Sequence, residues 1–134
     1  MPKPHLVDLQ ILRDTAGFIG VVEGQELLPF DVKRFYFIGD VLPGAVRGSH
    51  AHKTLDQLII AVSGSVTIEL DDGREVEEFT LAGPSSGLVV PPGYWRTLRD
   101  FAAHTVVGVL ASATYDETDY IRDYDDFLEW AHGR

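Results

Sequence analysis

Residues 57–81, QLIIAVSGSVTIELDDGREVEEFTL, set three β-prone segments end to end, with only Ser63-Gly64 and Asp71-Asp72-Gly73 between them. The Asp-Asp-Gly string is a strong hairpin signal, because glycine takes up positive φ at no steric cost. The same texture continues on both sides. LVDLQIL (6–12), FIGVVE (18–23), LVVPPG (88–93) and HTVVGVLAS (104–112) read as strands, and RFYFI (34–38) is dense in the aromatic residues that strands favour. Only the tail departs from this pattern. There Tyr124, Phe127, Leu128 and Ala131 recur at helical spacing, with Asp123 or Asp125 available as a cap. Many short strands with close turns point to an all-β sandwich or barrel carrying a short C-terminal helix.

The 134 residues suit one ordinary domain with a single buried core, expected to span 1–134. A domain of this size buries more surface by pairing, so a homodimer is expected, with the N-terminal strands as candidates for exchange between protomers. The longest apolar runs, such as LIIAV (58–62) and LVV (88–90), are too short to span a bilayer. The start, MPKPHLVDLQ, lacks the basic and apolar regions of a signal peptide. With no cysteine there are no disulfides and no thiolate metal sites, which fits a cytoplasmic protein with no membrane partner. A net charge of −10 argues against a nucleic-acid backbone as partner. The charges are segregated: Asp116, Glu117, Asp119, Asp123, Asp125, Asp126 and Glu129 crowd the C-terminal end, while Lys33, Arg34, Arg47 and Lys53 fall in one central segment. The acidic end reads as solvated surface, and the central bases leave room for a local cationic pocket for a small anion.

Spacing becomes specific from residue 44 onward. Gly44, His50-Ala51-His52, Gln57 and Gly64 resemble the first cupin motif, and GLVVPPGYWR (87–96) resembles the second, at the expected separation. The implied architecture is a small cupin jelly-roll barrel with its pocket inside. Metal-binding cupins carry a glutamate and a third histidine where this chain has Gln57 and Arg96. An amide is a poor substitute for a carboxylate, and a guanidinium does not deprotonate to bind a cation. No metal and no other cofactor is therefore expected. His50 and His52, at i and i+2 on a strand, project from one face and can exchange protons near neutral pH. Arg34 and Tyr36 share a strand face, which assigns the alternating Phe35 and Phe37 to packing. Arg47 and Arg96 suit a phosphate or a developing oxyanion. Trp95 and Tyr94 suit stacking on a sugar or base, or equally a place in the core.

With these residues in hand, the sequence resembles the nucleotide-sugar 3,4-ketoisomerases, a metal-free cupin family. The resemblance covers most of the chain: LPFDVKRFYFI (28–38), RGSHAHK (47–53), QLIIAVSGSVTIELDDG (57–73), FTL (79–81), GLVVPPGYW (87–95), VLAS (109–112) and the distinctive YDETDYIRDYDDF (115–127). It implies an isomerase that moves the carbonyl of a dTDP-linked 4-keto-6-deoxyhexose from C4 to C3, through an enediol or enediolate, on the way to 3-amino sugars. Carried over onto this chain, His50 and His52 are the acid and base, in an order left open. Arg47 holds the sugar or steadies the charge, and Tyr36 orients a sugar oxygen. Arg34, Gln57, Trp95, Arg96, Tyr120 and Arg122 are the further expected ligand contacts. The run Asp119 to Arg122 is also readable as a structural ion-pair cluster at a dimer edge. The chain departs from the family pattern at Arg96, where some relatives carry histidine, and at Thr15-Ala16-Gly17-Phe18, where many carry Arg-Gly-Ser. Both gluco and galacto 3-keto products stay open, with gluco favoured.

Other readings remain at this stage. A deoxysugar 3,5-epimerase would use a histidine–aspartate pair, which is not visible in the sequence. A metal-dependent dioxygenase or isomerase is disfavoured by Gln57 and Arg96. A non-catalytic sugar-binding cupin would have no need of paired histidines.

Overall fold

The computed structural model describes residues 2–24 and 27–134. Its strands are β1 (His5–Asp8), β2 (Gln10–Asp14), β3 (Gly17–Val21), β4 (Arg34–Ile38), β5 (Arg47–His52), β6 (Gln57–Ser63), β7 (Ser65–Asp71), β8 (Val76–Ala82), β9 (Ser86–Val90), β10 (Trp95–Arg99), β11 (Val106–Ala111) and β12 (Tyr120–Ile121). A 3₁₀ turn (Glu117–Asp119) precedes β12, and one helix, α1 (Tyr124–Gly133), ends the chain. Two antiparallel sheets face each other, ordered β1-β9-β6-β11-β4 and β12-β5-β10-β7-β8, with β2 and β3 forming a separate hairpin. This is the jelly-roll expected from the sequence. Among the described residues no helix is long and apolar enough to cross a membrane.

The core between the sheets follows from alternation. In β7, Val66, Ile68 and Leu70 point inward and meet Ile59 and Ala61 of β6, Leu88 and Val90 of β9, and Val107 and Val109 of β11. Burying each such aliphatic side chain stabilises the fold by about 1.5–3 kcal/mol relative to exposure. β6 does not alternate because both its faces are covered. Its other residues, Leu58 and Ile60, lie under Leu9, Leu28 and the partly buried Ile11 and Val22 from the N-terminal segment. The β6–β7 turn depends on Gly64 at φ +78°, where a Cβ would stand 2.2 Å from Thr105 Oγ1.

Expectation and structure part in two places. LVDLQIL is broken at Leu9, whose backbone N–H donates to Ser85 O at 2.9 Å while its side chain is buried. Phe35 and Phe37, expected to pack, are instead 58% and 70% exposed on β4, with Phe37 at the edge of the cavity described below. The inward positions of that strand belong to Arg34, Tyr36 and Ile38. The helix forms as expected, capped by Asp123, whose carboxylate accepts from Asp126 N at 2.9 Å. Phe127 anchors it against Ala51 and Ile121.

Candidate active site

The two sheets enclose a cavity of about 500 Å³. Apolar side chains Ile59, Leu98 and Val109 line part of its wall. Arg34 and Tyr36 from β4, His50 from β5, Gln57 from β6 and Arg96 from β10 bring its chemistry, with Arg47, Tyr120 and Arg122 completing the lining. Of the residues expected at the site, all of these are brought together. His52 and Trp95 are not among the lining residues.

His50 owes its position to a local irregularity. Arg96 pairs with His50 and Thr97 with Gly48, so Ser49 is an extra residue in β5. Gly48 (φ 86°) and Ser49 (φ 56°) are both in the left-handed region. A β-bulge of this kind re-aims the side chain that follows. Glycine suits position 48, where φ is +86° and a Cβ would stand a tight 3.0 Å from Arg96 O. His50 Nδ1 bonds to Gly48 O at 3.0 Å. A carbonyl can only accept, so Nδ1 carries the proton and Nε2 is the basic nitrogen. Burial, and then the Arg96 charge, push the His50 pKa down to about 4, so the ring is neutral in the cell's pH range.

His52 lies on the same strand face, as alternation requires, but it is fully buried. Tyr120 pairs with it across β12–β5 and packs on it, with ring centroids 4.3 Å apart. Its Nδ1 lies 3.2 Å from Asp119 Oδ2, while Asp119 Oδ1 accepts from Thr54 N at 2.8 Å and Thr54 Oγ1 at 2.7 Å. A histidine–aspartate pair is therefore present, formed across 67 residues of sequence. Sequence reading missed both Asp119's role here and Thr54. Burial, then Arg96, push the His52 pKa down to about 2.

Arg96 is 2% exposed and among the described residues has no carboxylate partner. Its Nη1 donates to Gln57 Oε1, and its Nη2 donates to Tyr94 O at 3.0 Å. Gln57 Nε2 in turn donates to Tyr36 OH at 2.9 Å. Tyr36 thus accepts from the protein and keeps its own hydrogen to donate. Burial raises its pKa, which holds the phenol protonated. Burial also lowers Arg96 to about 10, still charged at neutral pH. The result is a buried guanidinium charge on the wall of the cavity, hydrogen-bonded to neutral groups and acted on by the Asp119 carboxylate only through space. The positions where a metal cupin has its glutamate and third histidine are hydrogen-bonded to each other as amide and guanidinium. This donor set does not fit a divalent cation.

At the same cavity, Arg122 is held by both oxygens of Glu117 (2.8 and 3.0 Å) and lies over the Tyr120 ring at 4.2 Å. The ion pair expected within Asp119–Arg122 is thus divided, Arg122 bonding to Glu117 and Asp119 to His52. Trp95 packs against Tyr124 and Phe127 beneath the helix, with centroids at 5.3 and 5.8 Å. Tyr94 is buried in the core. Neither of these rings is available to stack on a ligand in the cavity.

Three comparisons bear on this geometry. Residues 2–132 match the family model described as FdtA: WxcM-like, C-terminal. The TDP-4-oxo-6-deoxy-alpha-D-glucose-3,4-oxoisomerase of Aneurinibacillus thermoaerophilus is 41% identical over 125 residues, covering 93% of this chain and 90% of that protein. A His-to-Asn mutant of the 3,4-ketoisomerase QdtA from Thermoanaerobacterium thermosaccharolyticum, solved in complex with TDP-4-keto-6-deoxyglucose, superposes with a TM-score of 0.93 at 40% identity, covering 98% of this chain and 95% of that one. The WlaRB TDP-quinovose 3,4-ketoisomerase of Campylobacter jejuni superposes with a TM-score of 0.89 at 39% identity, covering 96% and 99%.

Proposed function

The chain belongs to the WxcM-like, C-terminal (FdtA) family, and from that premise and the cavity's chemistry we propose that it is a sugar 3,4-ketoisomerase acting on TDP-4-keto-6-deoxy-D-glucose. The observation that carries this reading is the pairing of a neutral His50 with a buried Arg96 charge on one cavity wall. His50 Nε2 takes the C3 proton, which the neighbouring C4 ketone acidifies. The electron pair moves into a C3–C4 double bond and onto O4, giving an enediolate. Arg96 stabilises that oxyanion, and the Tyr36 hydroxyl donates a hydrogen bond to a sugar oxygen. His50 returns its proton to C4, the O3 hydroxyl proton passes to O4, and the product carries a ketone at C3 and a hydroxyl at C4. No electrons leave the sugar, so no redox partner is required. Arg47, Arg34 and Arg122 supply positive charge for the nucleotide's phosphates.

The reaction is proposed to be metal-independent and cytoplasmic, in a homodimer. The dimer is supported by the outer face of β4, β11 and β6, where Phe35, Phe37 and Val62 are exposed, and by Leu12, Phe18 and Ile19 on the β2–β3 hairpin. Exchange of the N-terminal strands between protomers, within a single domain, is part of this proposal.

A 3,5-epimerase also calls for a histidine–aspartate pair, and His52 with Asp119 is one. That pair sits behind Tyr120, off the cavity, which disfavours direct contact with a sugar carbon. An NMR time course of the purified protein with TDP-4-keto-6-deoxyglucose, in deuterated water with a chelator, separates the readings. Movement of the ketone to C3 supports the isomerase and reports the C4 configuration. Exchange at C3 and C5 with the ketone still at C4 would favour the epimerase. Binding with no chemistry would favour a sugar-binding module.

A further inference from the structure

We propose that Asp119, clamped by Thr54, is a positioning residue for this reaction: it fixes the tautomer and ring plane of His52, and His52 holds His50 and Tyr120 in place at the cavity. This rests on the ketoisomerase reading for its catalytic consequence.

The clamp is specific. Asp119 Oδ1 takes two hydrogens from Thr54, one from the backbone and one from the hydroxyl, leaving Oδ2 for His52. The segment that presents Asp119 is itself tied down. Asp116 caps the 3₁₀ turn by accepting from Thr118 N at 3.0 Å, Lys53 N donates to Asp119 O at 3.0 Å, and Lys53 Nζ donates to Thr118 O at 3.3 Å. A carboxylate has no hydrogen to offer, so His52 Nδ1 carries the proton and Nε2 keeps only a lone pair.

The pair is not an ion pair in the ordinary sense. The charged and titratable groups acting on His52 are Asp119, His50, Tyr120, Arg96, Arg34 and Arg122. Three arginines and full burial all oppose a proton on the ring, against one carboxylate. A neutral imidazole oriented by a carboxylate is the arrangement that fixes a tautomer. His52 meets His50 edge to face at 4.9 Å and Tyr120 at 4.3 Å, and these two rings line the cavity while His52 does not. Its influence on the substrate therefore passes through them.

The test uses Asp119→Asn in the full chain with ¹⁵N-histidine labelling. An asparagine whose oxygen stays on Thr54 turns an NH₂ toward His52, which drives the ring proton to Nε2. In the unmodified protein the His52 signals should be those of the neutral Nδ1–H tautomer. In Asp119→Asn they should invert, with kcat down about 100-fold and KM within about threefold. Thr54→Val, which keeps the backbone bond, should lower kcat about fivefold to tenfold with KM unchanged. An Nε2–H or doubly protonated His52 in the unmodified protein would overturn the proposal. So would a folded Asp119→Asn with inverted tautomer and kcat within twofold. If Asp119→Asn does not fold, Thr54→Val decides, and unchanged kcat there refutes the clamp. If the unmodified protein does not isomerise the substrate, the ketoisomerase reading fails, while the tautomer signal still tests the Asp119–His52 bond.

Discussion

The His50 and His52 rings meet edge to face with centroids 4.9 Å apart, yet only His50 lines the cavity. Two local features produce the difference. The extra residue at Ser49 re-aims the strand just before His50, and Tyr120 pairs across from His52 and covers it. An HxH motif read as two equivalent proton carriers thus presents one ring to the cavity and one behind it, which the proposed mechanism uses as base and support. His52→Asn should accordingly lower kcat by about 10–100-fold, less than the corresponding change at His50, with nucleotide-sugar affinity unchanged. Isothermal titration beside steady-state kinetics checks both halves of that statement.

The acid limb of the pH profile should lie well below the ordinary histidine range. Burial and Arg96 hold His50 near 4, so its base form persists as pH falls through 6 and is lost only as pH approaches about 4. Measured as kcat/KM, activity should be nearly flat from pH 8 to about 5. A limb centred near 6.5 would mean that His50 is not desolvated in the free enzyme, or is not the base.

Stability should depend on pH through the same histidines. The folded-state pKa of His52 lies below its unfolded value of about 6.5, so the unfolded chain binds more protons in that window. Stability is then full above about 6.5 and falls as pH decreases, by up to about 1.4 kcal/mol per pH unit from this one buried ring. Urea midpoints at pH 7 and pH 5 should differ in that direction, and His52→Asn should flatten the difference.

Gln57→Glu should separate charge from shape at the cavity wall. The carboxylate would accept from Arg96 as the amide oxygen does now, but it would neutralise the guanidinium and could no longer donate to Tyr36. Isomerisation should fall about 100-fold, with the fold intact and the acid limb moved upward, because Arg96 would no longer oppose protonation of His50. Circular dichroism and a repeat of the pH profile test this. Unchanged kcat would remove Arg96 from the stabilisation of the intermediate.

Phe35→Asp addresses the exposed face of β4 without touching the cavity, since Phe35 is not among its lining residues. Sedimentation equilibrium should report a dimer for the unmodified chain and a shift toward monomer for this variant. A monomer in both cases would remove the homodimer from the account.

The sequence made the parts governed by local chemistry legible. The Asp71–Gly73 hairpin, the Asp123-capped helix and the inward Arg34 and Tyr36 follow from turn residues, capping and alternation. Gln57 and Arg96 were visible as replacements for metal ligands, though not as partners of each other. What escaped reading depends on long-range packing. Phe35 and Phe37 read as packing residues, but strand alternation does not say what they pack against, and both stand exposed. Trp95 sits beside Arg96 in sequence but turns to the opposite side of β10, where only the arrival of the helix makes a home for it. The Asp119–His52 pair joins segments 67 residues apart, and no periodicity signals it.

The most direct test of the central claim is turnover of TDP-4-keto-6-deoxyglucose by His50→Asn, followed by NMR beside the unmodified protein at saturating substrate. The account predicts that the variant binds the nucleotide sugar within a few-fold of the unmodified affinity, while formation of the 3-keto product slows by about 1000-fold or more. Product formation within tenfold of the unmodified rate would contradict it and would move the base to another residue of the cavity.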